Sequence, residues 1–200
     1  MHIAITNEDR VIAAMQHWLE AAVIGLNLCP FAKAVHVHQQ IRYVVSGATE
    51  THTLQRDLTA ELLALAAADP LMTDTTLLIH PHVLNDFMDY NDFLHEVEDI
   101  VATLRLDGVL QIASFHPHYQ FAESRAGEIE NYTNRAPFPT LHLLRETSVD
   151  RAVAAYPDAS KIYSRNIDTL RRLGHTGWAA LHIATPPDSG DAKGGPIGQK

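Results

Sequence analysis

The chain has 200 residues, 46% of them hydrophobic, and its 24 acidic side chains outnumber 15 basic ones to give a formal net charge of -9. These values predict one globular domain with a substantial core, and the negative charge argues against general nucleic-acid binding. No apolar run reaches the length of a membrane span and the first residues lack the pattern of a secretory signal, so we expect a cytoplasmic protein that does not bind membranes.

The first third of the chain predicts a helix, a strand and a second helix. Apolar residues at helical spacing follow an expected N-cap at Asn7 and continue to about Leu28. The segment VHVHQQIRYVV, residues 35–45, alternates apolar and polar residues and therefore predicts a strand with one face in solvent. Residues 50–68 return to helical spacing.

The middle of the chain contains two short, continuously apolar runs, TTLLI at 75–79 and VLQIASF at 109–115, joined by a helix predicted from about Tyr90 to Leu104. This pattern predicts two neighbouring parallel strands that are buried on both faces. Each run is followed by the same His-Pro-His sequence, at residues 80–82 and 116–118. Because ligands bind beyond the carboxyl ends of strands in open α/β sheets, we expect the end of the second run and the loop after it to line the main pocket.

The remaining residues predict a long loop, a fourth strand and two helices. The irregular segment 116–139 is of a length that is usually functional when it is ordered, and LHLLRE, residues 141–146, predicts the fourth strand. Ser148 is the expected N-cap of a short helix. A last helix is expected from about Ala159 to Leu173, with Gly174 as its stop.

These elements predict a single α/β domain over residues 1–184, with a small, mainly parallel or mixed sheet of about four strands covered by helices. The alternative is an α+β sandwich such as a ferredoxin-like fold, since the fourth strand could pair antiparallel. Residues 185–200 have the composition of a flexible C-terminal tail.

Four segments resemble a known bacterial family. They are GLNLCPFAKA, SFHPHYQFA, ENYTNRAPFPTLHLLRE and SRNIDTLRRLG, and in this order they are similar to the family catalogued as domain of unknown function 1415, over roughly residues 8 to 182. The resemblance provides an identity without an activity. It implies that the family's characteristic motifs include Cys29, Pro30, His116, Asn134, Arg135, His142, Arg145, Arg165 and Asn166.

The candidate catalytic residues are His116, Cys29 and His142. Histidine titrates near neutral pH, and His116 at a strand end has the rigid support that positioned proton transfer requires. Cys29, the single cysteine, could be a nucleophile with a histidine as base, although a small buried residue at a helix end is the more common fate of a lone cysteine. His142 lies in an apolar run, where the alternative is a core histidine bonded to a backbone carbonyl.

The candidate ligand-binding residues are Asn134, Arg135, Arg145, Arg165 and Asn166. The planar guanidinium group binds carboxylate or phosphate in a bidentate way, so Arg135 and Arg145 are expected to converge with His116 on one cleft as an anion clamp. The alternative is that Arg145 pairs internally and holds the long loop in place. Arg165 belongs to a row of charged residues along the last predicted helix, which by itself is typical of a helix face in solvent. Only the resemblance assigns Arg165 and Asn166 to the ligand site.

Two pairs of histidines are candidate metal ligands. The pairs His80 with His82 and His116 with His118 could each share an ion, although this spacing is not specific to metal sites. The sequence indicates no particular cofactor and no oligomeric state. The resulting hypothesis is an enzyme that acts on a small anionic metabolite. A metal-binding or small-ligand-sensing protein without turnover is the alternative, and a scaffold with an ordered loop is a third possibility.

Overall fold

A computed structural model describes residues 6–184 apart from residue 157, so the predicted tail at 185–200 lies outside the described residues. The helices are α1 (Asn7–Trp18), α2 (Ala32–Val37), α3 (Thr51–Ala67), α4 (Phe87–Thr103), α5 (Glu146–Ala155) and α6 (Ile162–Ala179). A π-helix at Leu19–Ile24 continues α1, and short 3-10 helices lie at Ile129–Asn134 and Ala159–Lys161. The strands are β1 (Ile41–Val45), β2 (Thr75–Ile79), β3 (Leu110–Phe115) and β4 (Thr140–Arg145).

The four strands form one mixed sheet in the order β1-β2-β4-β3. β1 is parallel to β2, and β4 is antiparallel to both β2 and β3. The predicted α/β class with a mixed sheet of about four strands is therefore confirmed. The expected adjacency of β2 and β3 is wrong, although they do run in the same direction. The 116–139 loop is long enough to return β4 between them, and the apolar β4 gains a partner on each side.

Helices cover the sheet on both faces and create two hydrophobic cores. We call the core between the sheet and α3 and α4 the first core; it contains Leu54 and Leu58 of α3 and Phe93 and Val97 of α4. The second core lies under α1, the π-helix and α6, and it is built from side chains such as Trp18. Because side chains alternate across a strand, successive sheet residues point into different cores.

Two N-terminal element ends differ from the prediction. The N-cap of α1 is Thr6 rather than Asn7, because Thr6 and Asp9 form a capping box. The strand predicted over 35–45 begins only at Ile41, since Ala32–Val37 forms the short helix α2. The alternation of valine and histidine in this segment was therefore not a strand signal.

Two C-terminal details also differ. Ser148 does not cap α5, which begins at Glu146; its hydroxyl donates to Asp74 Oδ1 at 2.6 Å. Gly174 interrupts α6 as expected, with a φ of 63°, but helical turns resume beyond it. No helix within the described part of the chain has both the length and the apolar character needed to span a membrane.

Candidate functional site

The two histidines that follow β2 and β3 are completely buried on the first-core side of the sheet. His80 Nδ1 lies 3.0 Å from the carbonyl oxygen of Val83, and His116 Nε2 lies 3.2 Å from that of Leu84. A carbonyl can only accept, so both rings donate. His116 Nδ1 in turn accepts the backbone N–H of His118 at 3.0 Å. Burial lowers the pKa of both imidazoles to about 4, so both are neutral at pH 7.

Tyr90 of α4 packs against both rings. Its ring stacks on His80 at a centroid distance of 5.7 Å and lies 5.1 Å from His116, while its hydroxyl donates to the Thr140 carbonyl at 2.9 Å. The expectation that His116 lines the main pocket is therefore wrong, because the ring is sealed in a polar, aromatic cluster. A groove of about 520 Å³ lies elsewhere, between α3 and α4.

Arg145 lies at the far end of the sheet from His116. It pairs with Leu110 at the start of β3, whereas His116 follows the last residue of that strand. The two N–H bonds of its guanidinium Nη2 are shared among three carbonyl oxygens, those of Leu65 at 2.5 Å, Ala68 at 2.7 Å and Thr73 at 3.3 Å. Arg145 thus binds the carbonyls at the end of α3, where a cation also complements the helix dipole.

Arg135 and Asn134 organise the long loop. Arg135 donates to the carbonyls of Tyr119 at 3.2 Å and Ala126 at 2.6 Å, and its guanidinium lies 4.3 Å from the Tyr132 ring centroid. Asn134 closes the free edge of β3 by donating to the Ser114 carbonyl at 3.3 Å. The predicted anion clamp of Arg135, Arg145 and His116 does not form, because backbone carbonyls of separate regions occupy the two guanidinium groups.

Asn131 is a loop residue that sequence reasoning missed. Its side chain is fully buried, accepts from Phe121 N at 3.0 Å and from the Ser124 hydroxyl at 2.6 Å, and donates to the Arg125 carbonyl at 2.7 Å. Nothing in its spacing distinguished it from the neighbouring polar residues. This network explains why so long a segment is ordered.

The histidine pairs do not form a metal site in this structure. His80 and His116 use ring nitrogens on carbonyls, whereas His82 and His118 are exposed. Within residues 6–184 apart from 157, no three histidine, cysteine or acidic side chains come together as metal ligands.

Cys29 and His142 lie on the opposite face from His116. His142 pairs with Leu77 of the second core, and Cys29 packs against the same core. Thr75 donates its hydroxyl proton to the Leu143 carbonyl, so His142 Nε2 donates to Thr75 Oγ1 at 2.6 Å and Nδ1 remains an acceptor. Burial lowers the pKa of His142 to about 4.

The turn that contains Cys29 is held by α6. Asn166, which is 7% exposed, donates to the Leu28 carbonyl at 2.8 Å. Phe31 packs edge-on against Tyr156 at a centroid distance of 5.9 Å. Burial raises the pKa of the Cys29 thiol, and the backbone N–H groups of Phe31 and the next residue offset this in part.

Arg165 completes this assembly. Its guanidinium donates to the Tyr156 hydroxyl and lies 5.7 Å from the centre of that ring. The turn that carries Cys29 is far in sequence from the segment that carries Tyr156 and Arg165, and the two meet at one surface that we call the Cys29 surface. It is defined by Cys29, Phe31, Tyr156, Arg165 and Asn166.

These features define an α/β protein with a conventional two-sided sheet and a cysteine–arginine surface on its second-core side. The chain matches the family model described as "Protein of unknown function (DUF1415)" over residues 10–180, and it belongs to that family. No curated protein and no solved structure matches the chain.

Proposed function

We propose that this protein is an enzyme that acts on a small anionic metabolite, a carboxylate or phosphate compound, at the Cys29 surface. Arg165 is the anion-binding group of the proposal. Arg135 and Arg145 have no part in the proposal, because their guanidinium groups donate to backbone carbonyls. The proposal therefore keeps the anionic ligand of the original hypothesis and moves its site to another face of the sheet.

The state of Arg165 is the observation that carries the proposal. Its side chain is exposed, and it has no carboxylate within salt-bridge distance among the residues that the structure describes. The hydroxyl and ring of Tyr156 contact the guanidinium and hold it in place. A guanidinium group that is held in one orientation and has no carboxylate partner is suited to bidentate binding of a carboxylate or phosphate, even in a chain of net negative charge.

Cys29 is the reactive group of the proposed site. Because burial raises its pKa, the thiol is protonated at neutral pH and acts as a proton donor rather than as a resting thiolate. His142 lies on the same face with a neutral ring, its Nδ1 has no hydrogen-bond partner among the residues that the structure describes, and it is the proposed base. His116 has no part in this proposal because both of its ring nitrogens are engaged.

Thermal unfolding with increasing phosphate or citrate tests the proposal, because a ligand that binds only the native state raises the midpoint. Ligand at tenfold its dissociation constant adds about 1.4 kcal/mol, or roughly 3–6 °C in the midpoint for a chain of this size. The variant Arg165→Gln should lose this rise, and Arg165→Lys should retain part of it.

The matched control is Arg172→Gln. Arg172 is exposed on the same helix and bonds only to Thr169 in the described structure, so its loss should leave the ligand effect intact. Chloride at equal ionic strength corrects for general salt effects. An equal, saturable rise in wild type and Arg165→Gln would remove Arg165 from the site and overturn the proposal.

A further inference from the structure

The repeated His-Pro-His sequence converges on one loop, residues 81–86. The ring of His80 bonds to the Val83 carbonyl, and the ring of His116, from a different strand, bonds to the next carbonyl along, that of Leu84. The two histidines thus hold adjacent peptide groups of a single loop. This convergence accounts for the first histidine of each His-Pro-His sequence, at the ends of β2 and β3.

Each ring must be in a particular neutral form to make these bonds. His80 donates through Nδ1, so its buried Nε2 carries a lone pair, and that nitrogen has no partner in the part of the chain that is described. His116 donates through Nε2 and accepts the N–H of His118 at Nδ1. A second proton on His80 would be a buried charge without an acceptor. A second proton on His116 would face the N–H of His118.

The loop contains one residue with a strained backbone conformation. Leu84 has a φ of 58°, in the left-handed region that residues other than glycine rarely adopt. Such a conformation persists only when its surroundings impose it. The bond from His116 to the carbonyl of Leu84 is one of the contacts that hold this residue, whose side chain also packs against the first core, so a loop that opens can relax this conformation.

We propose that His80 and His116 form a proton-controlled latch, which holds the 81–86 loop closed at neutral pH and releases it when either ring gains a proton. The device is independent of the Cys29 surface, because it lies on the other face of the sheet. Its immediate neighbour is α4, whose N-cap, Asp86, is the last residue of the loop. Release therefore loosens the first turn of α4 together with the loop.

The surrounding groups determine the direction of the pH dependence. His116 faces His118, His80 and Asp86; the two histidines oppose its protonation and the carboxylate favours it, but burial is the largest effect. His80 faces the uncharged Tyr90 ring. With a pKa of about 4 when closed and an ordinary value of 6.5 when open, each ring favours closure fully above pH 6.5. That preference is lost progressively as the pH falls toward 4.

Nuclear magnetic resonance of the full chain tests the latch directly. Ring nitrogen shifts at pH 7.5 should report opposite tautomers, Nδ1–H for His80 and Nε2–H for His116. Hydrogen exchange should then show that protection of the His118 and Asp89 amides, relative to buried amides of α3, falls between pH 7.5 and 5. The linkage predicts a fall of about thirtyfold for each histidine.

Two variants separate the latch from general acid instability. In His80→Asn and His116→Gln the side-chain amide N–H takes the place of the donating ring nitrogen, and an amide does not titrate. Each variant should therefore reduce the pH dependence of hydrogen-exchange protection in the loop. His82→Gln, at an exposed neighbouring histidine, should leave it unchanged. If a variant fails to fold, the wild-type ring titrations decide. The proposal would be overturned if both rings carried their proton on the same ring nitrogen. It would also be overturned if His80 or His116 titrated near pH 6.5 while hydrogen-exchange protection of the loop stayed constant.

Discussion

Asn166 donates its side-chain N–H to the carbonyl oxygen of Leu28 at 2.8 Å, across a separation of 138 residues in sequence. The amide is 7% exposed, so water cannot easily replace this bond. It joins the turn around Cys29 to the start of α6. Asn166 therefore positions the cysteine turn, and Arg165 beside it remains free to face solvent.

Substitution of Asn166 by alanine should loosen the Cys29 turn. The Leu28 carbonyl would lose its partner, which costs roughly 1–3 kcal/mol in the free energy of unfolding. Urea unfolding measures this loss, and alkylation of Cys29 should become several-fold faster. Asp168→Ala, at an exposed position of the same helix, is the control and should change neither quantity. An unchanged alkylation rate in Asn166→Ala would mean that the bond does not position the cysteine.

Cys29 of the wild-type protein should react slowly with iodoacetamide at pH 7.5. Burial raises the pKa of the thiol, and the thiolate is the reactive form. The rate should therefore lie below that of a free thiol and rise with pH beyond the range in which a free thiol has levelled off. A rate well above that of a free thiol would instead identify Cys29 as an activated nucleophile.

Replacement of Arg145 should affect stability and not ligand binding. Arg145→Met leaves the end of α3 without its donor, and we expect a loss of about 3 kcal/mol. Arg145→Lys keeps the charge but not the fork, so it should also destabilise. Urea unfolding is the measurement, with the exposed Arg105→Lys as control. If either Arg145 variant kept its stability but no longer showed the phosphate-induced rise in the unfolding midpoint, Arg145 would be an anion-binding residue after all.

The long loop should depend on Asn131. Asn131→Ala removes two acceptor bonds and one donor bond at a fully buried site, and the expected loss is roughly 2–4 kcal/mol in the free energy of unfolding. Limited proteolysis should show cleavage within 116–139 before the rest of the chain. Glu123→Ala, at an exposed position of the same loop, is the control. Wild-type resistance to protease in Asn131→Ala would contradict the role of this network.

The sequence predicted the elements better than their arrangement. The apolar runs of β2, β3 and β4 and the stripe of α4 carry strong local patterns, because burial requires them. The insertion of β4 between β2 and β3 depends on where a long loop returns, which local periodicity does not encode. The alternation near Val37 predicted a strand but belongs to a short helix that is fixed by its neighbours.

The candidate site shows the same division. Cys29 and His142 were chosen for the chemistry of their side chains, and only the family resemblance assigned Arg165 and Asn166. Contacts in the fold bring Cys29, Arg165 and Asn166 to one surface. Tyr156 carried no signal in the sequence, since its role is to support Arg165. Arg135 and Arg145 were assigned to an anion because a guanidinium has the same donors whether it binds a ligand or backbone carbonyls. Only the contacts distinguish the two roles.

The most direct test of the proposed function is to locate the bound anion on the protein. Backbone and arginine side-chain resonances of the full chain would be followed as phosphate, and then citrate, is added. We predict saturable shifts at the Arg165 guanidinium and at the amides of Phe31 and Asn166, with little change at Arg135 or Arg145. Saturable shifts confined to another region would contradict the account. The absence of saturable shifts at the Cys29 surface up to ligand concentrations on the order of tens of millimolar would also contradict it, because specific binding is detectable below that range.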